Sequence, residues 1–157
     1  MVMMGLWLAG PAQAQNSSDF FCPDYYSRAV QWVDSNSELA SLEAGYKPNG
    51  VPIIRINSGA LSGMGLSAEA QKFARFHECA HHVLGHVVSP TADVREFDQQ
   101  VSQADCWAAN RFYYYSDDGK QKLDRIQEEI NNLSRKNWIR YPGPVRVIDF
   151  EQSCHFR

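Results

Sequence analysis

The chain has 157 residues, and its 15 lysines and arginines against 18 aspartates and glutamates give a formal net charge of −3 at pH 7. This length fits one domain with one hydrophobic core. The mild acidity, together with the lack of any basic stripe in the sequence, excludes a nucleic-acid-binding protein.

The first fourteen residues have the character of the end of a secretory signal peptide. An apolar run over residues 1–9 is too short to span a bilayer. It leads into Ala12-Gln13-Ala14, an A-x-A-like cleavage site. We therefore predict a signal peptide over residues 1–14, a mature domain over residues 15–157, and a periplasmic or secreted bacterial protein with no further membrane span. Because no lysine or arginine precedes the apolar run, a disordered or buried apolar N-terminus remains the alternative.

Four cysteines, Cys22, Cys79, Cys106 and Cys154, fit an oxidising compartment. Their even number predicts two disulfides. We favour Cys79–Cys106, which would join two helices expected to pack together, and Cys22–Cys154, near the two ends of the mature chain. Buried free thiols are the alternative. A redox function is disfavoured because the sequence has no C-x-x-C pair.

In chain order, the first predicted element is a short helix over residues 24–33, where large apolar side chains follow helical spacing. Residues 39–46 are ambiguous between strand and coil. A turn over residues 47–50 follows, with the sequence Lys-Pro-Asn-Gly, and residues 51–57 form the clearest strand. Together these segments predict a hairpin in front of the next helix.

That next helix is predicted over residues 66–86. Ser67 is a suitable N-cap, and Glu69 lies in the first turn, where negative charge is favoured. Gly85 is a position at which the helix can end, and Pro90 follows soon after. Apolar residues and two histidines recur at spacings of three and four to form one stripe: Ala70, Phe73, Ala74, His77, His81, Leu84 and Val88.

Within this helix, His77-Glu78-Cys79-Ala80-His81 has the form H-E-x-x-H. Residues four apart lie one turn apart on the same helix face, so His77 and His81 can bind one metal ion. Glu78 is turned away from the metal but can reach a metal-bound water as a general base. The pattern indicates a zinc hydrolase. The alternative is a pair of core histidines satisfied by hydrogen bonds.

A second long helix is predicted over residues 93–115. Its inward stripe is apolar except for Asp98 and Asp105, two turns apart, and a buried carboxylate is costly unless it meets a metal or a strong donor. A third helix is predicted roughly over residues 117–136, with a solvated charged face. Residues 141–144 break the chain, and residues 145–150 are a short strand or a helical turn.

The two central helices together resemble the gluzincin-type zinc metallopeptidases. More narrowly, they are similar to small bacterial metallopeptidases with an H-E-x-x-H helix and a downstream E-x-x-A-D helix. The likeness covers residues 66–112 and depends on the stretch from His77 to His86 and on Gln103-Ala-Asp-Cys-Trp-Ala-Ala109. It implies a small α+β zincin-like domain, in which a helix pair carries the metal site beside a short β-hairpin or sheet. It also implies a Zn²⁺ cofactor and a peptide or protein substrate.

In that family the glutamate of E-x-x-A-D is the third zinc ligand, and the aspartate fixes the tautomer of a ligand histidine. Here Asp105 matches the aspartate, but Val101 stands at the glutamate position. We assign His77, His81 and Asp105 as metal residues and Glu78 as the catalytic base. Asp98 as the ligand, or no third ligand at all, remain alternatives.

His86 is not assigned as a ligand. The metzincin pattern would need a glycine at position 84 and a histidine at position 87, and the nearest matches, Gly85 and His86, are each displaced by one residue. The strand at residues 52–57 would hold an extended peptide by strand addition if it bordered the cleft as in zincin-like folds. The alternative to a peptidase is a catalytically inactive zincin-like protein that binds metal or a partner.

Overall fold

A computed structural model describes residues 20–156, and the predicted signal peptide lies outside this range. Within it the chain forms three strands and six helices. In chain order these are β1 (Gln31–Asp34), β2 (Leu42–Tyr46), β3 (Pro52–Ile56), α1 (Ser58–Ser62), α2 (Ala68–Val83), α3 (Val94–Tyr115), α4 (Gly119–Asn131), α5 (Arg135–Trp138) and α6 (Phe150–Ser153). The predicted α+β class is confirmed.

The strands form one mixed sheet in the order β1-β3-β2, with β1 parallel and β2 antiparallel to β3. The predicted hairpin is therefore confirmed as β2 and β3. Its turn closes with the N–H of Lys47 donating to the carbonyl of Val51 at 2.9 Å, and Gly50 adopts φ +78°. Since β3 is the central strand, it has no free edge at which a peptide strand could be added. The strand with a free edge on the side of α2 is β2.

The predicted helix over residues 24–33 is also wrong. The carboxylate of Asp24 accepts hydrogen bonds from the backbone N–H groups of Tyr26 and Arg28 at 3.0 and 2.7 Å, which closes a tight turn. Ser27 then has φ +63°, a left-handed conformation that ends any helix. The β-branched Val33 lies in strand β1 instead. A local side-chain cap therefore outweighs the helical spacing of the apolar residues.

Helices α2 and α3 form the centre of the molecule and begin where the sequence predicts. The hydroxyl of Ser67 caps α2 by accepting from the N–H of Ala70, and the carboxylate of Asp93 caps α3. The inward face of α3 becomes buried only from Val101 onward, and Phe97 and Asp98, in its first two turns, are exposed. The predicted third helix is divided into α4 and α5. Residues 145–149 are coil, followed by α6.

Two disulfides are present, as predicted, but their pairing differs from the prediction. Cys22 bonds to Cys79 and Cys106 bonds to Cys154, with Cα–Cα distances of 5.7 and 5.2 Å. Two residues correspond to about 200° around a helix, so Cys79 points away from the face of His77 that meets α3. It therefore reaches the N-terminal segment and not Cys106.

Two disulfides are typical of proteins from oxidising compartments. Every helix in the described part of the chain is too short or too polar to cross a lipid bilayer.

Candidate metal centre

The two histidines of the H-E-x-x-H turn face each other on α2. Nε2 of His77 and Nε2 of His81 are 3.2 Å apart. Two nitrogens bound to one tetrahedral zinc, each at 2.0–2.1 Å, would be separated by about 3.3 Å. This separation fits two ligands of a single tetrahedral ion, and it is also a hydrogen-bonding distance between two imidazoles. His77 is fully buried, whereas His81 is half-buried and opens on a groove.

The carboxylate of Asp105 holds His77 from its other side. Oδ1 of Asp105 lies 2.7 Å from Nδ1 of His77, and both side chains are buried. Burial raises the pKa of Asp105, but His77 and the Arg146 guanidinium outweigh burial and hold that pKa below its ordinary value. An ionised carboxylate can only accept, so His77 donates from Nδ1, and Nε2 is the nitrogen that faces His81. Asp105, predicted as a metal residue, thus contacts Nδ1 of His77, the nitrogen that does not face His81.

A second set of hydrogen bonds fixes His81. Its Nδ1 lies 3.0 Å from Nδ1 of His86, and Nε2 of His86 lies 3.0 Å from Oε1 of Gln103. The amide oxygen of Gln103 can only accept, so His86 donates to it from Nε2 and uses Nδ1 as an acceptor. His81 must then donate from Nδ1, which leaves its Nε2 without a proton. Donation from His86 to His81 would require the Gln103 amide to be flipped, so that its nitrogen and not its oxygen faced Nε2 of His86.

With this direction of donation, Nε2 of His81 carries a lone pair 3.2 Å from Nε2 of His77. This contact is satisfied when His77 donates a proton from Nε2 to His81, or when both nitrogens bind one metal ion. Burial, together with His77 and His86, lowers the pKa of His81 to about 2, so His81 is neutral at physiological pH. A neutral imidazole is the form that binds metal.

Glu78 lies beside this pair and joins it to the sheet. Its carboxylate is buried, and Oε2 accepts the backbone N–H of Ala44 on β2 at 2.6 Å. Burial raises the pKa of Glu78, although His77 and the Ala44 bond act against that rise. A carboxylate with a raised pKa is suited to general-base catalysis near neutral pH. Glu78 and His81 both line the same groove, about 610 Å³ in volume.

The groove runs between β2 and the first half of α3. Its walls are mainly apolar, and include Leu42, Val87, Phe97 and Val101. Because the N–H of Ala44 is bonded to Glu78, this part of β2 directs its backbone away from β3 and toward α2. The free edge of the sheet therefore lies beside the histidine pair.

A third protein ligand is the missing part of the site. Val101 is 1% exposed and lines the groove beside His81, where the resemblance expects a glutamate. Asp98 is exposed and lines a different cavity, together with Asp105. Among residues 20–156, no three histidine, cysteine, aspartate or glutamate side chains converge as a metal-binding group. The donors present thus fit half of a catalytic zinc site.

One residue of the site escaped the sequence analysis altogether. Arg146 donates from Nε to Oδ2 of Asp105 at 2.8 Å and from Nη2 to Oδ1 at 2.7 Å. It lies 41 residues after Asp105 in an irregular segment, so no motif or periodicity marks it. Only the turn sequence at residues 141–144 indicates a change of chain direction nearby.

Compared with known proteins, the chain matches no protein-family model, no curated protein and no solved structure. A role for the site therefore follows from its own geometry. That geometry consists of a histidine pair spaced for zinc, a carboxylate behind one histidine, a buried glutamate and an adjoining groove.

Proposed function

We propose that this chain is a periplasmic or secreted zincin-like hydrolase that cleaves peptide bonds. His77 and His81 would hold zinc, and Glu78 would act as general base. The observation that carries the proposal is the 3.2 Å separation of the two Nε2 atoms, with Nδ1 of His77 held by Asp105. When bound, zinc supplies a Lewis acid and lowers the pKa of a coordinated water toward neutrality.

Glu78 is suited to move the proton in this reaction. One of its oxygens, Oε2, is held by the Ala44 N–H, which fixes the carboxylate plane. The carboxylate takes a proton from the attacking water and delivers it to the leaving amine nitrogen. Burial raises its pKa, which strengthens it as a base for this transfer.

An extended peptide is the substrate that the groove favours. Apart from the Ala44 N–H, which Glu78 occupies, the edge strand β2 provides backbone groups for an added strand, and main-chain hydrogen bonds supply affinity in this mode of binding. The apolar walls formed by Leu42, Val87 and Phe97 favour apolar side chains in the substrate. This role falls to β2 and not to β3, because β3 is paired on both sides.

Secretion is supported by two independent features. The described residues contain two disulfides, and residues 1–14 have the pattern of a cleaved leader. Both features fit a zinc hydrolase that acts in the bacterial periplasm or outside the cell.

Val101 favours a second candidate, a catalytically inactive zincin-like protein with a metal-binding or partner-binding role. A catalytic zinc takes three protein ligands and one water. With a buried valine at the third position, only His77 and His81 are supplied by α2 and α3. The two candidates share the metal pair and differ in whether hydrolysis occurs.

The test is hydrolysis of quenched fluorescent peptides by the mature protein, with and without added zinc. The proposal expects zinc-dependent cleavage that falls by about 100-fold or more in Glu78→Gln, while zinc binding is retained. Glu69→Gln is the matched control, since Glu69 is an exposed glutamate on the same helix. Zinc binding without any cleavage would favour the inactive candidate. Absence of zinc binding would overturn the metal site in both candidates, the active hydrolase and the inactive zincin-like protein.

A further inference from the structure

We infer that Arg146 is a positioning residue of the metal centre, and that its guanidinium holds the Asp105 carboxylate in the orientation that fixes His77. The inference depends on the proposed function only where Nε2 of His77 is treated as a zinc ligand. The orientation of His77 can be measured without any metal.

The ion pair has the two-pronged geometry that fixes a carboxylate plane. Nε and Nη2 of Arg146 bond separate oxygens of Asp105 at 2.8 and 2.7 Å. Oδ1 of Asp105 also accepts from Nδ1 of His77 at 2.7 Å. A bidentate guanidinium allows one orientation of the carboxylate, whereas a single donor would let it rotate. The direction of the Asp105–His77 bond is thus set from the side of Arg146.

The loop before Arg146 is shaped to hold this guanidinium. Nη1 donates to the carbonyls of Pro142 and Pro144 at 2.9 and 3.0 Å, so the guanidinium nitrogen that does not bond to Asp105 is also held in place. Gly143 has φ +77°, and a Cβ atom there would lie 2.7 Å from Nη1 of Arg146. A glycine is therefore required both by the backbone and by the guanidinium. The ring of Trp138 lies 5.6 Å from Cζ of Arg146.

These contacts form a chain from the loop to the metal pair. Carbonyls of the loop orient Arg146, Arg146 orients Asp105, and Asp105 orients His77. Partners that hold metal ligands in this indirect way change metal affinity by 10–100-fold when removed. Arg146 bonds to Asp105 and to the carbonyls of Pro142 and Pro144, and it acts on His77 only through Asp105, so it is a positioning residue and not a ligand.

The neighbouring cavity makes a chemical rescue possible. A cavity of about 500 Å³ between α3 and residues 144–154 is lined by both Asp105 and Arg146. In Arg146→Ala, free guanidinium can enter this cavity and pair with Asp105. Free guanidinium is not attached to the loop. Restoration of the His77 signal and of zinc affinity would therefore show that Arg146 acts by pairing with Asp105, and not by holding the loop in place.

The experiment measures two properties of the metal-free mature protein. The first is zinc affinity by competition with a chromogenic chelator, which we expect to fall on the order of 10–100-fold in Arg146→Ala. The second is the Nδ1–H proton of His77 in long-range ¹H–¹⁵N spectra, which we expect to exchange faster in the variant. About 20 mM guanidinium chloride, far too dilute to unfold a domain, should restore both, and equal sodium chloride should not.

Arg140→Ala is the matched control, because Arg140 pairs with the exposed Glu38 at 3.3 Å and does not contact Asp105. An unchanged His77 signal in folded Arg146→Ala, or a loss that guanidinium does not restore, would overturn the inference. If Arg146→Ala does not fold, Arg146→Lys is measured in its place. Wild-type zinc affinity and a wild-type His77 signal in Arg146→Lys would then overturn the inference. If the wild-type protein binds no zinc, the proposed function fails while the His77 signal still tests Arg146.

Discussion

Nδ1 of His77 and Oδ1 of Asp105 are 2.7 Å apart, across 28 residues of sequence. This bond joins the two central helices at the buried side of the histidine pair. It determines which nitrogen of His77 faces His81, and thus leaves Nε2 as the atom that the proposed zinc would bind. Asp105 thereby occupies the place that the aspartate of an E-x-x-A-D helix would take, while Val101 leaves the glutamate's place apolar.

Val101→Glu should complete the metal site. The side chain of Val101 lies one turn before Asp105 on α3 and lines the same groove as His81, so a carboxylate there would face the groove that contains the proposed zinc site. We expect zinc affinity to rise at least about tenfold, equivalent to ~1.4 kcal/mol. Zinc titration against a competing chelator measures this. Val101→Gln is the matched control for size, and an equal gain in both variants would contradict a carboxylate ligand at this position.

Acid should remove the stabilising effect of Asp24. Burial raises the pKa of Asp24, but the Arg28 guanidinium and the N–H groups of Arg28 and Tyr26 outweigh burial and lower that pKa below 3.8. A depressed folded-state pKa stabilises the fold above the unfolded pKa of about 3.9, and the effect disappears as pH falls through the folded value. Asp24→Asn should therefore lower the free energy of unfolding by about 1–3 kcal/mol at pH 7.

Urea denaturation at a series of pH values checks the Asp24 prediction. The difference between wild type and Asp24→Asn should shrink as the pH falls below about 4. Asp117→Asn, at an exposed position, should change the unfolding free energy by less than about 0.5 kcal/mol at pH 7. If the unfolding free energies of wild type and Asp24→Asn differ by the same amount at every pH, that result would contradict the ion-pair explanation.

Peptide mapping of the unreduced protein should recover the two disulfides of the structure. Cys22 should be found linked to Cys79, and Cys106 to Cys154. The bridges span 57 and 48 residues, so each should stabilise the fold by roughly 4 kcal/mol in the chain-entropy description. Replacing either pair by serine should cost a similar amount in chemical denaturation. Recovery of a Cys79–Cys106 peptide would show that the packing of α2 on the N-terminal segment is incorrect.

Tyr141→Phe should preserve or slightly raise stability. The Tyr141 hydroxyl is buried and has no hydrogen-bond partner among the described residues. Burial and the nearby Asp105 charge raise the pKa of Tyr141 well above its ordinary value, so the phenol is neutral. Removing an unsatisfied buried hydroxyl relieves a desolvation cost, and we expect a gain of up to about 1 kcal/mol in the free energy of unfolding.

Thermal and urea unfolding measure the effect of Tyr141→Phe. Tyr113→Phe is the control at an exposed tyrosine and should leave the unfolding free energy unchanged. A loss of more than about 1 kcal/mol in Tyr141→Phe would mean that the hydroxyl is bonded, for example to a buried water.

Local signals predicted the parts of the fold that depend on local interactions. Ser67 and Asp93 mark the starts of α2 and α3 because each caps backbone N–H groups of its own helix. The Lys-Pro-Asn-Gly turn marks the hairpin for a similar reason. The same local view failed at residues 24–33, because the left-handed Ser27 cannot be read from apolar spacing.

The remaining features depend on packing between distant segments. The order β1-β3-β2 and the two disulfide pairings are set by which helix faces meet. Within the site, the H-E-x-x-H spacing predicted the facing of His77 and His81, because one helical turn determines it. The bond from Arg146 to Asp105 could not be predicted, since a coil residue 41 positions away has no periodicity to reveal it.

Zinc binding to the metal-free mature protein tests the central claim most directly. Calorimetric titration should show one zinc per chain, with affinity retained in Glu78→Gln and His155→Ala. Affinity should fall by about 100-fold or more in His77→Ala and in His81→Ala, because each variant lacks one of the two proposed protein ligands. A wild-type protein that binds zinc no better than His81→Ala would contradict the claim, and would leave the two histidines as hydrogen-bonded core residues.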